Sequence, residues 1–190
     1  MEQIKVVCLG DPGVGKSSLS CFYTTGEFPS ETQVSIFNNY SVNVMHERVA
    51  VNLGLWEMAM RGDPENAMRL LPLSYPYTSM FLLFFAVDNP ASFAHVKDVW
   101  LNSVLQASKY SHKFSKQFTL VGTKSDLRST DRQHAFVSSA EAESLASNLG
   151  CAYMEVSAKD NKGVTELFQH VISDCHQRSR SRQSRFCLLL

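Results

Sequence analysis

Residues Gly10 to Ser17 read GDPGVGKS, a complete G-x-x-x-x-G-K-S run. Its glycines let the backbone curl so that successive N–H groups point inward at phosphate oxygens. Lys16 supplies a positive charge for the β- and γ-phosphates. Ser17 supplies a hydroxyl ligand for Mg²⁺, and a following helix N-terminus adds its dipole. The apolar stretch Ile4 to Leu9 stands directly before the loop, and a helix can start at Lys16. Motif and placement together predict nucleotide phosphate binding. They do not choose between ATP and GTP.

The elements that must position this loop alternate between strand and helix. Ile4 to Leu9 reads as a buried strand, and Lys16 to about Tyr23 as a helix. Ser41 to Met45 and Val49 to Trp56 alternate apolar and polar residues and predict an antiparallel hairpin joined at His46-Glu47-Arg48. Met80 to Val87 is a continuous apolar run, as expected of a strand covered on both faces. Phe93, Val96, Val99, Trp100 and Val104 fall at helical spacing within a helix from about Ala91 to Lys109. Phe118 to Gly122 and Ala152 to Val156 are further strands. Between them a helix capped by Ser139 ends at Gly150. A last helix runs from Val164 to about Cys175, with Val164, Leu167, Phe168, Val171 and Ile172 as its stripe. About six strands with interleaved helices predict an α/β fold with a mostly parallel sheet wrapped on both faces.

Length and composition agree. A chain of 190 residues with 44% apolar and 19% charged residues suits one folded domain, residues 1–176, and a short flexible basic tail, residues 177–190. The longest apolar run has eight residues, against the ~20 that span a bilayer. The start Met1-Glu2-Gln3 lacks the features of a secretory leader, so an intracellular chain is expected. Lys and Arg number 18, as do Asp and Glu, but Arg178, Arg180, Arg182 and Arg185 all lie after Cys175 and no acid does. An acidic body with a basic tail argues against nucleic acid as a partner and for an anionic surface near the tail. The five cysteines have the count and spacing of neither a disulfide framework nor a zinc site.

Two further segments choose the base. Val121 to Asp126 reads VGTKSD and Glu155 to Lys159 reads EVSAK. Here the chain resembles the Ras-like small GTPases, whose guanine-binding motifs are NKxD and SAK. Phe28-Pro29, IFNNY at Ile36 to Tyr40, LGLWE at Leu53 to Glu57 and RLLPLSYP at Arg69 to Pro76 narrow the resemblance to an atypical member of the Rho family. It covers residues 4 to about 176 and the last four. It implies a P-loop G domain with a mostly parallel six-stranded sheet and helices on both faces. It implies GTP or GDP with Mg²⁺ as ligands. The phosphate loop Asp11, Pro12, Gly13, Val14, Gly15, Lys16, Ser17 and Ser18 would hold the phosphates. Asp126 would accept hydrogen bonds from guanine N1 and N2, which adenine cannot provide. Lys124 would lay its stem along the base and Phe28 would pack against it. Ala158 would offer an N–H to guanine O6, supported by Ser157 and Lys159. Thr123 stands where the family has Asn. It loses an amide donor, which predicts a weaker hold on the base or the loop.

The resemblance also shows where the hydrolytic parts depart. Ras-like hydrolysis depends on positioning and electrostatics. The Gly and Gln of the second switch are here Met60 and Arg61. Arginine has donors and no acceptor, so it cannot orient an attacking water, although it can pair with γ-phosphate charge. Glu57 replaces the Asp that supports Mg²⁺ indirectly, with a carboxylate displaced by more than about 1 Å. Ser35 replaces the metal-ligating Thr of the first switch. Pro12 fixes φ and removes an N–H near the γ-phosphate. Slow to negligible hydrolysis is expected, with no intact catalytic residue at position 61.

Ile36, Phe37, Tyr40 and the 57–76 region resemble the effector-facing surface of Rho proteins. The resemblance also implies exchange factors, a guanine-nucleotide dissociation inhibitor and signalling to the actin cytoskeleton, by a monomer. The chain ends Cys187-Leu188-Leu189-Leu190, a C-a-a-X box that favours geranylgeranylation of Cys187. One lipid anchors marginally, and the four tail arginines supply the second signal. The cytoplasmic side of the plasma membrane, with a cytosolic pool, is the expected location. A GTP-holding Rho-type switch competes with a pseudo-GTPase adaptor that depends little on nucleotide, and with an ordinary slow-cycling GTPase.

Overall fold

The computed structural model describes residues 1–30, 37–58, 69–109, 117–130 and 135–187. Its sheet consists of β1 (Glu2–Gly10), β2 (Phe37–His46), β3 (Val49–Met58), β4 (Met80–Ala86), β5 (Phe118–Thr123) and β6 (Ala152–Glu155), in the order β2-β3-β1-β4-β5-β6. Only β2 pairs antiparallel; the other pairings are parallel. The α/β class expected from the alternating pattern is the one observed.

The apolar runs explain the central strands. Along β4, Met80, Leu82, Phe84 and Ala86 face one core, while Phe81, Leu83 and Phe85 face the other. All seven residues of the strand are buried. Strands covered on both faces lose the polar alternation of an exposed sheet, and β4 reads accordingly. One core lies beneath α1 (Lys16–Thr25) and the last helix, and holds Leu19, Val164, Leu167, Phe168, Val171 and Ile172. The opposite core holds Trp100, Val104, Ala142 and Ala146.

The predicted helix after β4 is interrupted. It runs as α2 (Pro90–His95), a π turn (Val96–Leu101) and α3 (Asn102–Ala107). Asn89 caps α2 by accepting from the Ser92 N–H. A π turn accommodates an extra residue in the helix and often marks a functional position. A short helix α4 (Leu127–Thr130) follows β5. The next helix, α5 (Ser139–Leu149), is capped by Ser138 rather than Ser139. Ser138 and Glu141 form a reciprocal capping box, which satisfies two orphan donors where Ser139 would satisfy one. Gly150 ends α5 in the left-handed conformation, as its sequence position suggests.

The hairpin turn is tighter than its composition indicates. Glu47 and Arg48 both have positive φ, 45° and 66°, as a two-residue turn matched to strand twist requires. The last helix, α6 (Val164–Cys187), continues where the sequence reading stops it near Cys175 and begins a flexible tail. No Gly or Pro interrupts the segment, and Ser, Arg and Gln are acceptable helix formers. An Asp174–Arg178 pair of 2.8 Å supports the added turns. The His176 ring lies 2.6 Å from Glu2 and ties the helix to β1. Cys175 is buried, and burial pushes its thiol up to about 12.

Arg128 on α4 reaches both oxygens of Glu155 on β6, at 2.7 and 2.9 Å, and the Val137 carbonyl. The Tyr153 hydroxyl donates to the same carboxylate at 2.7 Å. Burial works against the Glu155 charge, but Arg128 and Tyr153 outweigh it and hold the pKa below the usual carboxylate range. A depressed folded pKa gives stability that is present above the unfolded value and is lost as pH falls. Glu155→Gln should therefore lower the urea midpoint at neutral pH. Its deficit against the unaltered protein should shrink below about pH 4, as equilibrium urea unfolding at several pH values will show.

Candidate functional site

β1 delivers the loop to the end of the sheet, and α1 receives it. Gly10 is needed there because a Cβ would meet the Phe84 carbonyl oxygen at 2.6 Å. Gly15 caps α1 at φ 90° with no side-chain hydrogen bond, which leaves the first-turn donors of the helix free of a side-chain cap. Such a terminus suits an anion. Lys16 folds back, and its Nζ donates to the Gly10 and Asp11 carbonyls at 2.7 and 2.8 Å. An ammonium has three donors, so one remains for a phosphate oxygen. Burial pushes the Lys16 pKa down, while the charge of Glu57 works against that shift.

The loop opens into a cleft of about 470 Å³. Pro12, Gly13, Gly15, Lys16, Ser17 and Ser18 form its phosphate end. Phe28, Lys124, Asp126, Ala158 and Lys159 line it at the other end, where the motifs predict the base. Apart from Phe28 and Ser18, these are residues the three separated motifs named, brought together from the loops after β1, β5 and β6. Phe28 is half-exposed, as a lid over a base would be. Ser157, buried behind the cleft, donates to Asp126 Oδ1 at 2.7 Å and accepts the Asp160 N–H at 3.1 Å. Asp126 is thus oriented by a serine that never reaches the cleft. Lys124 has φ 61° and places its Nζ 3.4 Å from Asp88.

Some predicted positions act otherwise. The Asp11 side chain turns away from the cleft. It accepts from Trp100 Nε1 at 2.8 Å and lies 2.7 Å from His95 Nδ1, tying the loop to the π turn. Val14 is buried in the core and faces the cleft with no side chain. Thr123 does not leave the loop loose: its hydroxyl is shared between the Val14 carbonyl and the Phe85 carbonyl. Loop anchoring survives the change from amide to hydroxyl because the nearby acceptors are backbone carbonyls, which need only a donor.

Glu57 lies at the phosphate end and is 2% exposed. Ser17 donates to one of its oxygens at 2.7 Å and Ser20 to the other at 2.5 Å. A hydroxyl beside a carboxylate is an all-oxygen donor set, which fits a small hard cation such as Mg²⁺. Ser17 is the residue that would hold it, with Glu57 behind. Ser35, Ile36, Met60 and Arg61 fall outside the described residues, and of Phe37 only the backbone is described. Tyr40 is half-buried against the core. In the 57–76 region Tyr75 is fully buried, whereas Leu70 and Leu73 are exposed. Asn38, Leu127 and Val156 also line the cleft. Leu127 adjoins a motif; Asn38 lies in the Ile36–Tyr40 segment, which the resemblance links to partner binding and not to the cleft.

Thr123→Val removes the donor and leaves two buried carbonyls without it. It should cost about 1–3 kcal/mol of stability and speed nucleotide release. Urea unfolding and the dissociation rate of a fluorescent guanine nucleotide will check both.

Residues 5–177 match the family model for the Ras family. Proteins of that family bind GTP and GDP with Mg²⁺, and bind effector and regulatory proteins. The phosphate loop that ends in Lys16 and Ser17 and the six-stranded sheet agree with that family. The chain belongs to the Ras family of small GTP-binding signalling proteins.

Proposed function

We propose that this protein is a Rho-like, membrane-anchored member of the family that holds GTP and hydrolyses it weakly or not at all. One observation carries the reading: Lys16, Ser17, Lys124 and Asp126 line one cleft, while the sequence places Arg61 and Met60 where family members keep the groups that orient water and γ-phosphate.

Binding falls to residues whose geometry is suitable. Lys16 has a donor to spare for the phosphates, and Asp126 is held for a base that offers two N–H groups. Mg²⁺, when bound, supplies charge to the β- and γ-phosphates. Hydrolysis needs a water aimed at the γ-phosphate. An arginine side chain has no lone pair with which to take a hydrogen bond from that water. An arginine finger from a partner adds charge stabilisation but no such acceptor, so it should rescue little.

Effector binding is assigned to Ile36, Phe37, Tyr40 and the exposed Leu70 and Leu73. Exchange factors and a dissociation inhibitor are the regulators that suit a Rho-like chain acting as a monomer. Anchoring is assigned to a prenylated Cys187 with Arg178, Arg180, Arg182 and Arg185. Arg180 is 70% exposed and only 3.6 Å from Glu47, an exposed pair that anionic lipid can outcompete. The cytoplasmic face of the plasma membrane, with a cytosolic pool, follows from such an anchor. Among the described residues no helix is long and apolar enough to cross a membrane.

The nucleotide released on denaturing the purified protein, separated by anion exchange, should be mostly GTP. Mostly GDP overturns the hydrolysis reading. An empty cleft that takes up no labelled GTP with Mg²⁺ moves the protein to the adaptor class. Restoring Met60→Gly with Arg61→Gln should raise single-turnover hydrolysis at least ~10-fold.

A further inference from the structure

Ser20 belongs to none of the motifs, yet it makes the shorter of the two hydroxyl contacts to Glu57. Ser17 and Ser20 lie one turn apart on the same face of α1, and Glu57 lies near the end of β3. The carboxylate sits between them, 2.7 Å from Ser17 Oγ and 2.5 Å from Ser20 Oγ. Ser20 is 1% exposed and the Cys8 thiol lies against it from β1. Water has no access from that side.

Glutamate has one more rotatable bond than aspartate. A buried carboxylate with a free terminal torsion spends part of its time turned away from its partner. A second donor on its far oxygen removes that freedom and satisfies a charge that burial would otherwise penalise. We propose that Ser20 is a positioning residue for the divalent cation. It fixes Glu57 so that Glu57 accepts the Ser17 hydroxyl hydrogen and leaves the Ser17 lone pair directed at the metal. Groups behind a metal ligand commonly tune it in this way. The inference rests on the guanine-nucleotide and Mg²⁺ reading of the site.

The test is the release rate of a fluorescent GDP analogue as a function of free Mg²⁺, repeated in excess EDTA. Ser20→Ala should raise the Mg²⁺ concentration that half-maximally slows release by roughly 3- to 10-fold. It should speed release in EDTA far less than in Mg²⁺. Ser20→Thr, which keeps the hydroxyl, should restore the midpoint. In a Glu57→Asp background the shorter side chain does not reach Ser20, and Ser20→Ala should shift nothing further.

An unchanged midpoint for Ser20→Ala overturns the proposal. So does an equal shift in the Glu57→Asp background, or an equal acceleration with and without Mg²⁺, either of which marks general damage to α1. An unaltered protein that binds no guanine nucleotide at all sinks the underlying reading instead, and is seen before any variant is made.

Discussion

A loop can present inward N–H groups to an anion only if its own carbonyls are satisfied elsewhere. That requirement governs this structure. The Gly10 and Asp11 carbonyls accept from Lys16, the Val14 carbonyl from Thr123, and the Gly15 carbonyl from the Leu19 N–H. The partners come from two elements, α1 and β5. Lys16 begins α1, Thr123 ends β5, and Leu19 is one turn into the helix. The sheet order, with β4 between β1 and β5, brings Thr123 within reach of the loop. The fold satisfies the outside of the loop and leaves its inside available to a ligand.

The same economy applies to charge. Lys16 and Glu57 are both buried at the phosphate end, where an isolated charge would be costly. Each is wrapped in hydrogen bonds, the ammonium by carbonyls and the carboxylate by two hydroxyls. Neither group relies on the other through a direct salt bridge. A phosphate can therefore approach the lysine without first breaking an ion pair. Asp11 shows the converse. Pointed outward to Trp100 and His95, it keeps a negative charge off the phosphate side while tying the loop to the π turn.

Much of the fold was legible because its signals are local. The apolar run of β4, the stripe of α6 and the three nucleotide motifs each occupy a few consecutive residues; the first two placed their elements, and the motifs named most of the residues that line one cleft. What the sequence concealed depends on contact across the chain. Trp100 meets Asp11 across 89 positions, and the Thr123 hydroxyl meets the Val14 carbonyl across 109. Neither pairing has a pattern a linear reading can register. Ser20 was hidden for a different reason: a buried serine on a helix resembles any small residue until Glu57 is placed beside it. The extension of α6 was missed because Arg, Ser and Gln suggest disorder by composition, although none of them breaks a helix.

The described cleft also explains how binding and hydrolysis can separate in one fold. The residues that would hold phosphate and base are anchored in β1, α1, β5, β6 and their loops. In the sequence Met60 and Arg61 follow β3, beyond Glu57 and the end of the strand. The Lys16 contact to the Gly10 carbonyl, the Thr123 anchor on Val14 and the Ser157–Asp126 contact each join residues from other parts of the chain. Energies at sites with no shared partners are close to additive. On the proposed reading, positions 60 and 61 act on water while Lys16, Thr123 and Asp126 hold the nucleotide, so loss of the first function need not weaken the second. Glu57 is the exception: it stands at the end of β3 and also supports Ser17, so the boundary between holding the ligand and acting on it runs through that one carboxylate.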